Sequence, residues 1–140
     1  MAAFNKVNCL VADVCNKVHN LGADACYIYL TNSAPSAANT VYGTPADLST
    51  TGGYTAGGNV CTLTSSSQAA GLYKLILQSP ATWTGSGGGF GPFRYCVLYN
   101  FTAGTKPLMG WWDYGSSISV NASDTFAITL DGTNGVIQFT

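Results

Sequence analysis

The sequence predicts a mainly β protein, an antiparallel β-sandwich or jelly-roll-like barrel with one N-terminal amphipathic α-helix, and three observations predict it. Apolar residues keep a helical spacing only near the N-terminus. From residue 25 onward, short segments rich in Val, Ile, Tyr, Phe, Trp and Thr alternate with clusters of Gly, Ser, Asn, Asp and Pro, the pattern of strands joined by tight turns. The segments recur every ~8–12 residues, the spacing of sandwiches and small barrels. At 140 residues the chain is the size of one domain and can bury a core without metal or disulfide staples. The predicted organisation is a single domain over 1–140, with the helix over 4–21 and the sandwich over 25–140.

In the first segment Phe4, Val7, Leu10, Val11, Val14, Val18 and Leu21 recur at i, i+3, i+4, i+7 spacing, with Asn5, Asn8, Asp13, Asn16, Lys17 and Asn20 on the other side. Gly22 stands where a helix stop is expected, and Lys17 and His19 suit the negative end of the helix dipole. His19 is expected at the helix surface or end.

The strand segments that follow are "ACYIYLT", "NTVYG", "NVCTLTS", "GLYKLIL", "ATWTG", "FRYCVLYN", "MGWWDYG", "SISV", "TFAITL" and "GVIQFT". Between them lie "NSAPSAAN", "TTGGYTAGGN", "GSGGGFGP" and "DGTNG". The glycine run "GSGGGFG" at 85–91 has no following Lys-Ser/Thr pair or helix, so it reads as a flexible connection and not as a phosphate cradle.

Only 8% of residues are charged, about a third of the usual ~25%, and there is no Glu. The surface must then be Ser, Thr, Asn, Gly and backbone, which suits a chain that lives among neighbours. With a net charge of −1 and Lys6, Lys17, Lys74, Arg94 and Lys106 scattered singly, no nucleic-acid footprint is expected. No apolar run approaches the ~20 residues of a membrane span, and the broken N-terminal pattern does not read as a signal peptide.

Cys9, Cys15, Cys26, Cys61 and Cys96 are odd in number and lack a CxxC, so they are expected as buried free thiols of a protein assembled in a reducing cytoplasm. No metal or other cofactor is expected. Asp113 is the sole carboxylate of the aromatic stretch; its nearest partners in sequence, Asp124 and Asp131, sit in "SDT" and "DGTNG", which read as turns. No Ser lies in a G-x-S-x-G setting, and no enzymatic activity is expected. The sequons at Asn100 and Asn121 read as chance matches.

The order of the motifs carries further information. "YLTNSAP", "GGYTAGGN", "GPFRYCVLYN" and "GWWDYGSSISV" follow one another along the chain. In this the sequence resembles, from near its first residue to its last, a family of small virion structural proteins of tailed bacteriophages, whose members show "LTN-x-AP", "GYTAGG", "GPFRY-x-VLYN" and "GWWDYGSSI" in this order. The five cysteines and the short "FTAGTKP" connection depart from the commoner pattern. The resemblance implies a non-enzymatic building part of the particle, found in the virion and assembled in the host bacterial cytoplasm. The leading expectation is a head decoration or cement protein that binds the major capsid protein or other virion proteins. The alternatives are a tail or neck component, or a carbohydrate-recognition module of a host-binding appendage.

Residues 91–120 hold three Tyr, two Phe and two adjacent Trp. "FRYCVLYN" is apolar on both faces, so both faces need cover, and Trp111 and Trp112 must point to opposite sides of a strand. One face is expected in the core and the other at an interface. The candidate interface residues are Phe93, Tyr95, Tyr99, Trp111, Trp112 and Tyr114, since buried Trp, Tyr and Arg dominate association energies. A closed homo-oligomer, a trimer ahead of a dimer, would cover that face. Two other arrangements remain open: cover by the helix within one subunit, and a sugar-binding groove.

Overall fold

The structure, a computed structural model, describes residues 2–140. In chain order the elements are β1 (Asn5–Lys6), α1 (Cys9–Cys15), β2 (Cys26–Thr31), β3 (Asn59–Cys61), β4 (Leu63–Ala69), β5 (Leu72–Leu77) and β6 (Trp83–Thr84). They continue with β7 (Phe90–Asn100), β8 (Leu108–Val120), β9 (Thr125–Phe126) and β10 (Ile137–Phe139). Every strand pair is antiparallel. A five-stranded sheet runs β1-β8-β7-β2-β3, a three-stranded sheet β10-β5-β4, and β6 and β9 form a two-stranded ribbon. Ile28, Leu30 and Leu98 of the large sheet share one buried cluster with Leu75, Leu77 and Ile137 of the smaller one. The result is a sandwich-like, mainly β fold with, among the described residues, a single short helix near the N-terminus.

The helix is shorter than 4–21. Ahead of it Asn5 and Lys6 are extended and pair with Trp111 and Gly110. Gly110 makes this possible: a Cβ there would meet the Phe4 ring at 2.3 Å and the Asn5 carbonyl oxygen at 2.5 Å. Phe4 instead lies against Trp112, with ring centroids 5.0 Å apart. The apolar periodicity was therefore shared by a strand and a helix, which periodicity by itself cannot separate.

Nor does Gly22 end the helix. Val18 N donates to Asp13 O at 2.8 Å and Lys17 N to Val14 O at 3.2 Å, with Lys17 at φ 63°. That is a Schellman stop with lysine in the left-handed position usually given to glycine. The chain then turns inward. His19 is consequently buried, not on a helix surface.

The strand segments hold with four changes. "NVCTLTS" is divided at Thr62 between β3 of the larger sheet and β4 of the smaller one. "MGWWDYG" and "SISV" form one continuous β8. "NTVYG" contributes only an isolated bridge from Val41 to Pro107, because that part of the chain serves as a cover over the sheet. "TFAITL" pairs only at Thr125 and Phe126, after which the chain runs unpaired.

The glycine run at 85–91 is a tight crossing, not a flexible link. A Cβ on Gly89 would lie 2.0 Å from the Val120 carbonyl oxygen, and one on Gly52 would lie 1.8 Å from the Gly89 carbonyl oxygen. Ser86 N donates to Gly52 O at 3.0 Å and Gly85 N to Asp124 O at 2.8 Å, so three segments are tied together where they touch. The run's composition resembles a loop, but its function in the fold is close backbone approach.

Candidate functional site

The β7–β8 hairpin supplies the candidate site. Its register sets Leu30, Cys96 and Trp112 side by side, and Tyr29, Val97 and Trp111 side by side one residue along. Cross-strand partners share a face, and neighbours in sequence take opposite faces. Trp112 therefore belongs to one face of the sheet and Trp111 to the other.

On the Trp112 face lies an aromatic network. Phe126 meets Phe93 edge-on at 4.8 Å, Tyr114 at 6.0 Å and Trp83 at 6.0 Å, and Tyr54 joins Trp83 and Phe90. Phe93 and Trp112 are buried here, inside the subunit. Beside them a hollow of about 630 Å³ opens between β8 and the unpaired chain after β9, lined by Trp112, Tyr114, Phe126, Ile128 and Leu130. Of these Tyr114 is the most open, at 55% exposure.

Around Tyr29 and Tyr99 the opposite face is closed by the chain's own connection between β2 and β3, which leaves its Tyr95–Trp111 end partly open. Tyr42 stacks on Tyr99 at 4.8 Å and meets Tyr29 edge-on at 5.2 Å. Tyr29 donates to Pro45 O and Tyr99 to Gly57 O, both at 2.9 Å. Asp47 organises this cover: it accepts from Tyr42 at 2.8 Å and also from Tyr54 OH and Gly57 N. Tyr54 OH in turn accepts from Leu30 N at 3.0 Å, satisfying a strand amide beyond the reach of β3. Burial first, then the Asp47 carboxylate, pushes the Tyr42 phenol up to about 12, and the Tyr54 phenol rises further. Neither a helix nor a second subunit is needed over Tyr99, which is fully buried.

Three of the six candidate interface residues, Phe93, Tyr99 and Trp112, are thus core residues of the single chain. The other three do not form one patch. Trp111 and Tyr95, both half-buried, are diagonal neighbours on one face, whereas Tyr114 lies on the other beside Trp112. "FRYCVLYN" is apolar on both faces, and nothing local to it signals that residues 42–57 return across one of them.

Arg94 completes the Trp111–Tyr95 group. Its Nε donates to Asp113 Oδ1 at 2.8 Å and its Nη2 to Asp113 Oδ2 at 2.9 Å, while the guanidinium lies 5.3 Å from the Tyr95 ring centre. Gly115 N donates to the same carboxylate at 2.8 Å. These bonds, the Arg94 fork first, hold the Asp113 carboxyl below its ordinary value. Asp113 is therefore an orienting group for Arg94. Asp131 accepts from Thr133 N and Asn134 N at 2.8 Å each, and Asp124 accepts from Asn121, as their turn-like settings suggested.

The thiols divide. Cys26, Cys61 and Cys96 are buried and pushed up to about 12, chiefly by burial, while Cys9 is only half-buried and Cys15 is exposed, both contrary to expectation. Cys15 lies in the last turn of the truncated helix, whose outer side faces solvent. Among the described residues no group of three His, Cys or Asp side chains is placed to hold a metal ion, and no helix is long and apolar enough to cross a membrane.

The chain matches no family model, no curated protein and no solved structure.

Proposed function

We propose that this protein is a non-enzymatic structural component of a tailed-bacteriophage virion, a head decoration or cement protein that binds the capsid surface and stabilises the shell. The motif order read in the sequence motivates the assignment. The structural observation that supports it is the Arg94–Tyr95–Trp111 group: the three residue types that dominate association energies, partly exposed on the β7–β8 hairpin, with the arginine held by a bidentate carboxylate. A cement protein touches several shell subunits at once, so a modest anchor repeated at each site suffices. Self-association, a trimer ahead of a dimer, belongs to the same proposal.

The carboxylates favour this reading over hydrolysis. Asp24, Asp47, Asp113, Asp124 and Asp131 all accept hydrogen bonds from backbone or neighbouring side chains, which ties them to the fold. A sugar-binding role for the hollow beside Trp112 is disfavoured by its apolar lining, since its carboxylate, Asp131, is occupied by its own turn.

The test is made on particles. Hundreds of copies per virion on a stained gel, and heads that break at lower temperature or milder osmotic shock when the protein is absent, are the expected results. A few to tens of copies would move the protein to the neck or tail. Unchanged head stability would remove the cement role. In parallel, Asp113→Asn is expected to fold and to assemble; normal assembly with loss of hydrolysis of a host polysaccharide would defeat the non-enzymatic reading.

A further inference from the structure

His19 is the chain's single histidine, and its side chain is wholly buried. Its Nδ1 lies 3.0 Å from Asn100 Nδ2. The orientation of the Asn100 amide is fixed by its other bonds: Oδ1 accepts from Thr102 N and Ala103 N at 3.0 Å each, and Nδ2 donates to Asp24 Oδ2 at 2.6 Å. An amide nitrogen only donates, so Nδ1 must accept, and the ring is neutral with its proton on Nε2. That second nitrogen has no hydrogen-bond partner; Asp13 Oδ2, at 3.9 Å, is out of reach.

The geometry points to His19 as an acid-operated latch that holds the connection between α1 and β2 onto the end of β7. A proton arriving on Nδ1 converts the acceptor into a donor that faces a donor, and the bond to Asn100 is lost. Flipping the Asn100 amide would repair it only by abandoning both backbone amides of the next turn. The other ties of the connection persist: Ala25 N donates to Thr102 Oγ1 at 2.9 Å and Phe101 N to Ala25 O at 2.8 Å. Asn100 Nδ2 also keeps its bond to Asp24 Oδ2, so acid loosens the segment that runs from 17 up to this anchor at 24 and leaves the sheet in place.

The titratable and charged groups around the ring come from each neighbouring segment. Asp13 of α1 and Asp24 of the connection favour the imidazolium; Lys17, Cys15 and Tyr73 of β5 line, with His19, a separate hollow beside the end of α1. Burial outweighs the two carboxylates and sets His19 below its ordinary 6.5. Above that value the histidine is neutral folded or unfolded and contributes no pH dependence. As pH falls below it, the unfolded chain takes up a proton that the folded chain resists, so stability declines until the lowered folded value is reached, by up to about tenfold in the unfolding equilibrium per pH unit.

A proton and nitrogen NMR titration of the intact protein tests this, because the sole histidine gives one unambiguous ring signal. The expected results are the Nε2-protonated tautomer at pH 7, a midpoint below 6.5, and amide exchange at 17–24 that accelerates in acid ahead of exchange in β7. An Nδ1-protonated tautomer at pH 7, or a midpoint at or above 6.5, would overturn the latch. His19→Gln, whose side-chain oxygen can still accept from Asn100, should remove the acid acceleration; if it persists, another group is responsible and the inference fails. Asn100→Asp supplies an independent check. It sets a carboxylate against Nδ1 and should move the His19 midpoint upward.

Discussion

Gly89→Ala is expected to cost about 2–5 kcal/mol of folding stability, combining ~1–3 for overpacking with ~1–2 for a Cβ in left-handed backbone. The residue sits at φ 74°, and its new Cβ would meet the Val120 carbonyl oxygen at 2.0 Å, with backbone and not a pliable side chain on the other side. Gly52→Ala, aimed at the Gly89 carbonyl oxygen from φ 54°, should behave alike. The same run provides its own controls. Gly87, at φ 56° with open space around it, should lose only the conformational ~1–2 kcal/mol as Ala. Gly88, which has neither constraint, should change by less than about 0.5 kcal/mol. Urea midpoints at constant slope measure all four. A Gly89→Ala variant as stable as Gly88→Ala would mean that the crossing is loose.

The second large effect separates the adjacent tryptophans. Trp112 is 7% exposed and packs on Phe4, so Trp112→Ala should cost about 3–5 kcal/mol and release the N-terminal strand with it. Trp111→Ala should cost only about 1–2 kcal/mol, because the ring is half-buried. Under the proposed function the two variants differ again on the particle. Trp111→Ala, soluble and folded, should lose about 2 kcal/mol or more of capsid affinity, as expected of an anchor residue. Equal stability losses would contradict the assignment of faces. A folded Trp111→Ala that binds heads like the wild type would remove the Arg94–Tyr95–Trp111 group as the anchor.

The sandwich class was legible because its signal is local and repeated: "ACYIYLT", "GLYKLIL" and "FRYCVLYN" each carry strand chemistry and turn-forming ends. The helix was half legible. Leu10 and Val14 do belong to α1, but Phe4 keeps helical spacing only by coincidence, and nothing local to it announces that Gly110, far along the chain, leaves room for its ring. His19 was misplaced for a related reason, since a lysine at φ 63° is a rare helix stop that composition does not reveal. At the candidate site, the opposite facing of Trp111 and Trp112 followed from strand geometry alone. Which of them was interior depended on Phe4. The burial of Tyr99 depended on Tyr42 and Asp47, in a connection with no periodic signal of its own. Arg94 could have been found by its place beside Tyr95 in a strand opposite Asp113, had the register been known.

The order of strands in the larger sheet also governs how the chain is made. Asn5 is bonded to Trp111 across 106 residues, and β2 pairs along its length with β7. During synthesis at ~5–20 residues per second, β1 therefore emerges roughly 5 to 20 s before β8, and β2 roughly 3 to 14 s before β7. Through those intervals Phe4 and the almost wholly apolar "CYIYLT" are exposed, with only β3 arriving early to pair with β2. Such distant pairing makes folding slow and the nascent chain prone to stick to its neighbours. Rapid, high-level production is when this chain is most exposed to aggregation, and slower translation or a holding chaperone is what shields it until Trp111 and Trp112 leave the ribosome.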